Sequence, residues 1–128
     1  MTLLLDFPPR REMALPADQK WPPPNIVFIA KNRRKIIKEN FVEGAPDIVV
    51  EILSPSNWPV DRGKKARVYA QARVREYWIV APEVETIELF EQRTGVYALV
   101  GKYGVGGTVR SEVLAGLKIK VKDVRHVY

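Results

Sequence analysis

The stretch DIVVEILS (47–54) decides the fold. Its apolar residues are mostly β-branched and nearly unbroken, the pattern of a strand buried on both faces rather than one alternating between core and water. Gly44-Ala45-Pro46 ahead of it is a turn signal, and Pro55-Ser56-Asn57-Trp58-Pro59 ends it. The following VDRGKKARVYAQA (60–72) reads as a helix. Pro59 and Asp61 suit its first turn, the proline through its fixed φ and the aspartate through the positive end of the helix dipole. EYWIVA (76–81) is then another short apolar strand.

Working outward, NIVFIA (25–30) reads as a buried strand entered from the stiff Trp21-Pro-Pro-Pro segment. Six of the ten prolines fall within residues 1–24, so that stretch is neither a long helix nor a central strand. It is expected to be extended, with a short edge strand near Leu3–Phe7. KNRRKIIKEN (31–40) carries five basic residues and reads as a surface loop or short helix. Toward the C-terminus the pattern predicts antiparallel strands at Val84–Glu91 and Val96–Tyr103 around a turn at Gln92–Gly95. Gly104-Val105-Gly106-Gly107 breaks that sheet, and a short strand near Leu117–Val121 is expected to close it. The expected class is α/β or α+β: one mixed sheet, few helices and a strand-rich C-terminal half, in a single domain over 1–128.

Composition narrows the chemistry. With no cysteine, a disulfide scaffold, a thiolate zinc site and a cysteine nucleophile are excluded. A single histidine, His126, excludes a multi-histidine metal centre and reads as an ordinary surface residue near the end. No apolar run approaches the ~20 residues of a spanning helix, and Met1–Leu5 is too short for a signal-peptide core. A cytoplasmic location is the default expectation. The net charge of +6 is a weak pointer to an anionic partner.

Two residues break their local pattern. Glu51 sits inside an apolar strand, where an ionised carboxylate needs a cation, a hydrogen-bonding network or water. Lys65 lies within about 40° of Tyr69 and Ala72 on a helical wheel, with Val68 beside it, so it shares the core-facing stripe. A strand carboxylate followed by a lysine on the next helix suggests metal-assisted phosphodiester chemistry. The carboxylate would hold Mg²⁺ or Mn²⁺, hard cations that prefer oxygen. The lysine would orient water or offset negative charge on phosphorus. Asp47 is on the same strand face as Glu51, but four residues at ~3.3 Å each put it ~13 Å away, too far to share an ion readily. Asn25, at the start of the preceding strand, is the better second ligand, and Asp47 is a weaker candidate, more often a turn or cap residue. Tyr69, Tyr77 and Trp78 are taken as core packing.

The runs GAPDIVVEILSPS (44–56), DRGKKARVY (61–69), EYWIVAP (76–82) and VLAGLKIKVKDV (113–124) together resemble the Uma2 family (DUF820) of restriction-endonuclease-like proteins, within the PD-(D/E)xK nuclease superfamily. The resemblance covers about residues 21–124. It implies a restriction-endonuclease-like α/β core and a divalent-metal nuclease site, with metal ligands at Asn25 and Glu51 and a lysine displaced onto the helix at Lys65. It also implies DNA as substrate and a homodimer as the assembly. Leu53 stands where the superfamily's usual motif has its lysine, which agrees with that displacement. The chain departs from the family pattern in four places. Pro24-Asn25 replaces Pro-Asp, Ala81-Pro82 replaces Asp-Pro, Arg73 replaces a glycine, and the portion before the first core strand is short. An amide contributes no negative charge to a metal, so the alternative to a nuclease is a non-catalytic nucleic-acid-binding or protein-interaction module on the same fold.

Overall fold

A mixed sheet of six strands forms around the decisive stretch. The structure is a computed structural model that describes residues 2–6, 12–13, 26–39, 41–53 and 62–123. Asn25, the segment 54–61 and His126 lie outside the described residues. In chain order the elements are β1 (Thr2–Asp6), β2 (Glu12–Met13), β3 (Ile26–Ala30), a 3-10 turn over Lys31–Ile36, β4 (Phe41–Val42), β5 (Ile48–Ile52), α1 (Arg62–Gln71), β6 (Glu76–Ala81), β7 (Thr86–Arg93), β8 (Val96–Tyr103), β9 (Thr108–Arg110) and β10 (Lys118–Lys120).

The main sheet runs β1-β3-β5-β6-β7-β8. Its neighbours are antiparallel except β5 and β6, which pair parallel with Glu51 opposite Ile79. A parallel pair cannot be joined by a tight hairpin and needs a crossover, and here α1 lies within that crossover. β5 and β6 are buried along nearly their whole length, as the unbroken apolar runs predicted. Residues of odd number on β5 face α1. Val49 and Leu53 pack there with Val27, Ile29, Tyr69, Val74, Tyr77 and Ile79. Ile48 and Val50 point the other way and join Phe28, Trp78, Val80, Ile87, Leu89, Val109, Leu114 and Val121. The sheet is thus covered on one face by the helix and on the other by the segment containing β9 and β10.

Two expectations at the C-terminal end change. The strand near Leu117–Val121 does not close the main sheet: as β10 it pairs antiparallel with β9 in a separate two-stranded sheet. The reason is that β9 and β10 belong to the covering layer, where Val109 and Leu114 bury against the main sheet's face instead of extending its edge. The β7–β8 turn is also tighter than expected. It consists of Thr94-Gly95 alone, both at positive φ (52° and 86°), the backbone that a two-residue hairpin matched to strand twist demands.

Candidate active site

Glu51 and Lys65 meet. Lys65 Nζ donates to Glu51 Oε2 at 3.2 Å, the lysine reaching in from α1 with 20% of its side chain exposed against 7% for the glutamate. Val68 and Tyr69 are buried, and Lys65 lies on their side of the helix, as the helical spacing predicts. The other carboxylate oxygen is held as well. Tyr69 donates its hydroxyl to Glu51 Oε1 at 2.7 Å. Burial and the neighbouring Glu51 charge push the Tyr69 hydroxyl far above the usual tyrosine range, so it remains a donor at any working pH.

Tyr69 was read as packing only, and its hydroxyl role was missed. A signal was present. Residues 65 and 69 are one helical turn apart on one face, so a group reached by Lys65 is also within reach of residue 69. Its ring meanwhile packs edge-on against Tyr77, with centroids 5.5 Å apart.

Asp47, on the same face of β5, stands at the other end of the strand and makes a different site. Its Oδ2 accepts the backbone N–H of Ala30 at 2.7 Å. Its Oδ1 receives Arg33 Nη1 at 3.0 Å and Arg75 Nη2 at 2.9 Å. Burial alone would raise its pKa, but the Ala30 N–H and the two guanidiniums outweigh burial and hold the carboxyl below the usual aspartate range. Asp47 and Glu51 thus have separate sets of partners. Asn25 lies outside the described residues.

A further carboxylate was not singled out in the sequence. Glu76, at the start of β6, is fully buried. Its Oε1 accepts the Trp78 indole N–H at 2.9 Å, and its Oε2 accepts the backbone N–H groups of Glu112 and Val113 at 2.9 and 3.0 Å. It is a structural acceptor tying the C-terminal segment to the sheet. Nearby, Glu91 Oε2 is buried with no donor to meet it. Burial, and then Glu112 beside it, raises the Glu91 carboxyl above the usual range.

Among the described residues, no group of three or more His, Cys, Asp or Glu side chains stands close enough to hold a metal ion. Magnesium-type sites often rest on one or two carboxylates, with water and substrate phosphate completing the shell. Glu51 fits the carboxylate part of that description if one oxygen exchanges its present donor for the cation.

The chain matches the model of the Uma2 family, described as "Putative restriction endonuclease", over residues 6–122. The chain belongs to the Uma2 family. It is also similar to a solved crystal structure described as a putative nuclease belonging to DUF820 from Anabaena variabilis, at 18% identity and a TM-score of 0.70. That match covers 95% of this chain and 66% of the other, so this Uma2 chain spans about two-thirds of that nuclease's length. At this identity the likeness shows the fold, the restriction-endonuclease-like core with its mixed sheet and few helices. No curated protein matches the chain. Among the described residues, no helix of this Uma2 chain is long and apolar enough to cross a membrane.

Proposed function

We propose that this protein is a divalent-metal-dependent nuclease that hydrolyses DNA phosphodiesters, with Glu51 as the metal-binding carboxylate and Lys65 beside the scissile phosphate. The observation that carries the reading is the buried strand carboxylate met at 3.2 Å by the ammonium of the next helix. Membership of a family described as "Putative restriction endonuclease" supports it. Glu51 would hold Mg²⁺ or Mn²⁺ together with Asn25, water and the substrate phosphate. The cation, when bound, supplies Lewis-acid polarisation of the phosphate. Lys65, released from Glu51, orients the attacking water or offsets the charge that builds on phosphorus. Tyr69 keeps the Glu51 carboxylate in place throughout by donating to its other oxygen.

The test is cleavage of plasmid and linear DNA with Mn²⁺ supplied, comparing wild type with Glu51→Gln. Loss of a principal electrostatic group typically costs on the order of 10²–10³ in rate, and a loss of that size is expected here. Wild-type protein that leaves DNA intact, or cleavage that Glu51→Gln leaves unchanged, overturns the proposal. Pairing of two copies belongs to the same reading, because two copies of one site can cut both strands of a duplex in a single encounter. Sedimentation of the protein alone and with DNA measures it.

One observation favours the second reading, a non-catalytic module. Both Glu51 oxygens are engaged and the residue is only 5% exposed, which is also how a purely structural ion pair looks. Titration calorimetry with Mn²⁺ separates the two. Heat that saturates in wild type and vanishes in Glu51→Gln supports the nuclease, and no heat in either supports the module.

A further inference from the structure

The geometry points to a second anion site: Arg33, Arg73 and Arg75, gathered at the N-terminal end of β5, form a pocket that holds a non-scissile backbone phosphate of nucleic acid. The inference rests on the nuclease reading and extends it to how the substrate is gripped.

The pocket has a volume of about 340 Å³ and is lined by Arg33, Ala45, Pro46, Asp47, Arg73 and Arg75. Three guanidiniums against one carboxylate leave its wall with a net charge of +2. The carboxylate is the buried member and acts as the anchor. Asp47 fixes Arg33 and Arg75 through a single oxygen, and Arg33 is pinned again by donating from Nη2 to the Ala45 carbonyl at 2.7 Å. A guanidinium has five N–H donors, so these contacts leave others on each arginine. Both arginines remain accessible, with 38% and 57% of their side chains exposed. Preset, partly exposed guanidiniums around a cavity are suited to a phosphate, which such forks bind in bidentate fashion.

Arg73 carries the independent observation. It follows α1 at φ +69°, in left-handed backbone. The helix ends in a Schellman arrangement: the Val74 N–H donates to the Tyr69 carbonyl and the Arg73 N–H to the Ala70 carbonyl, both at 3.1 Å. That position favours glycine because a Cβ is disfavoured there. A Cβ is therefore held where glycine is preferred, and the side chain it carries brings a third guanidinium to the pocket.

Placement fits a chain of phosphates. Asp47 and Glu51 project from one face of β5, ~13 Å apart by strand geometry. Phosphates follow one another along a DNA strand at about every 3.4 Å of helix axis, so a strand laid over this face carries more than one of them. A strand cut at Glu51 would therefore pass the arginine pocket a few nucleotides away.

Arg73→Gly is the decisive variant, because it removes the cation while relieving the backbone. It should melt at the wild-type temperature or higher. In wild-type protein, titration with inorganic phosphate at constant ionic strength should shift the arginine Nε–H resonances of Arg73 and Arg75 saturably, and Arg73→Gly should abolish the saturation. With labelled duplex DNA, Glu51→Gln/Arg73→Gly should bind several-fold more weakly than Glu51→Gln alone. Its log–log salt slope should be shallower by about 0.9, the value of one phosphate contact. Unchanged affinity and slope overturn the proposal, as does a phosphate titration that never saturates. Saturable phosphate binding with an unchanged DNA slope also overturns it, by assigning the pocket to a free phosphate. The nuclease reading fails separately, through Glu51→Gln protein that still cuts.

Discussion

Asp47 and Glu51 are both acidic, both buried, four residues apart on one strand face and both met by cations, yet they are held in opposite ways. Asp47 is clamped by three donors: a backbone N–H and two planar guanidiniums. Glu51 has one fixed donor, the Tyr69 phenol, and one on a flexible stem, the Lys65 ammonium. The difference lies in the donors rather than in burial: the aspartate organises two arginines around one oxygen, and the glutamate has one oxygen whose donor is a flexible lysine.

Breaking the clamp should have the largest effect on stability. Asp47→Ala leaves the Ala30 N–H without its acceptor and unties two arginines. The arginines can hydrate, so the expected loss is about 2–3 kcal/mol, read by urea denaturation. Tyr69→Phe sharpens the other side of the comparison by removing one donor from a buried carboxylate. A hydrogen bond to a charged group is worth about 1.5–3 kcal/mol, and the lower end is expected because Lys65 remains. In a double-mutant cycle with Glu51→Gln most of that cost should disappear; a cycle that closes additively breaks the claim that the hydroxyl serves the carboxylate.

The two sites should also separate by pH. The Asp47 carboxyl titrates below its usual value, so the native state binds fewer protons than the unfolded chain in that window. Its stabilisation is complete above the ordinary aspartate pKa of roughly 3.9 and is lost as pH falls through the lower native value. The stability gap between wild type and Asp47→Asn should therefore be level above roughly pH 5 and close in acid. Glu91 has the opposite sign. Its carboxyl titrates above the usual value, so it costs stability as pH rises past roughly 4.3, the ordinary glutamate value. Glu91→Gln should gain less than about 1 kcal/mol at pH 7 and nothing in acid, the smallest of these effects.

Much of this could be read in the sequence, and the boundary is instructive. β3, β5, α1 and β6 fall where the apolar runs and turn residues put them, within a residue or two, because their signals are local. Lys65 was found because a helix's periodicity fixes which residues share a face. Asp47's partners could not be found that way. Arg33 and Arg75 lie 14 and 28 residues from it in sequence, and only the pairing of β3 with β5 and β5 with β6 brings them together. Glu76 was missed for the same reason. Its acceptors' donors, the amides of Glu112 and Val113, come from a segment over 30 residues away. The separate β9–β10 sheet was missed because a short strand's sequence says that it pairs, not with what.

Glu76 has a consequence for how the molecule opens. The β9–β10 segment lies outside the main ladder, the kind of peripheral unit that in many proteins detaches without global unfolding. Here two of its amides point into a fully buried carboxylate that is braced in turn by the Trp78 indole on a central strand. Those amide protons are shielded from solvent by the same side chain that anchors the segment. Their exchange with deuterium is expected to wait on release of the Glu76 carboxylate, and Glu76→Gln should speed it at both amides.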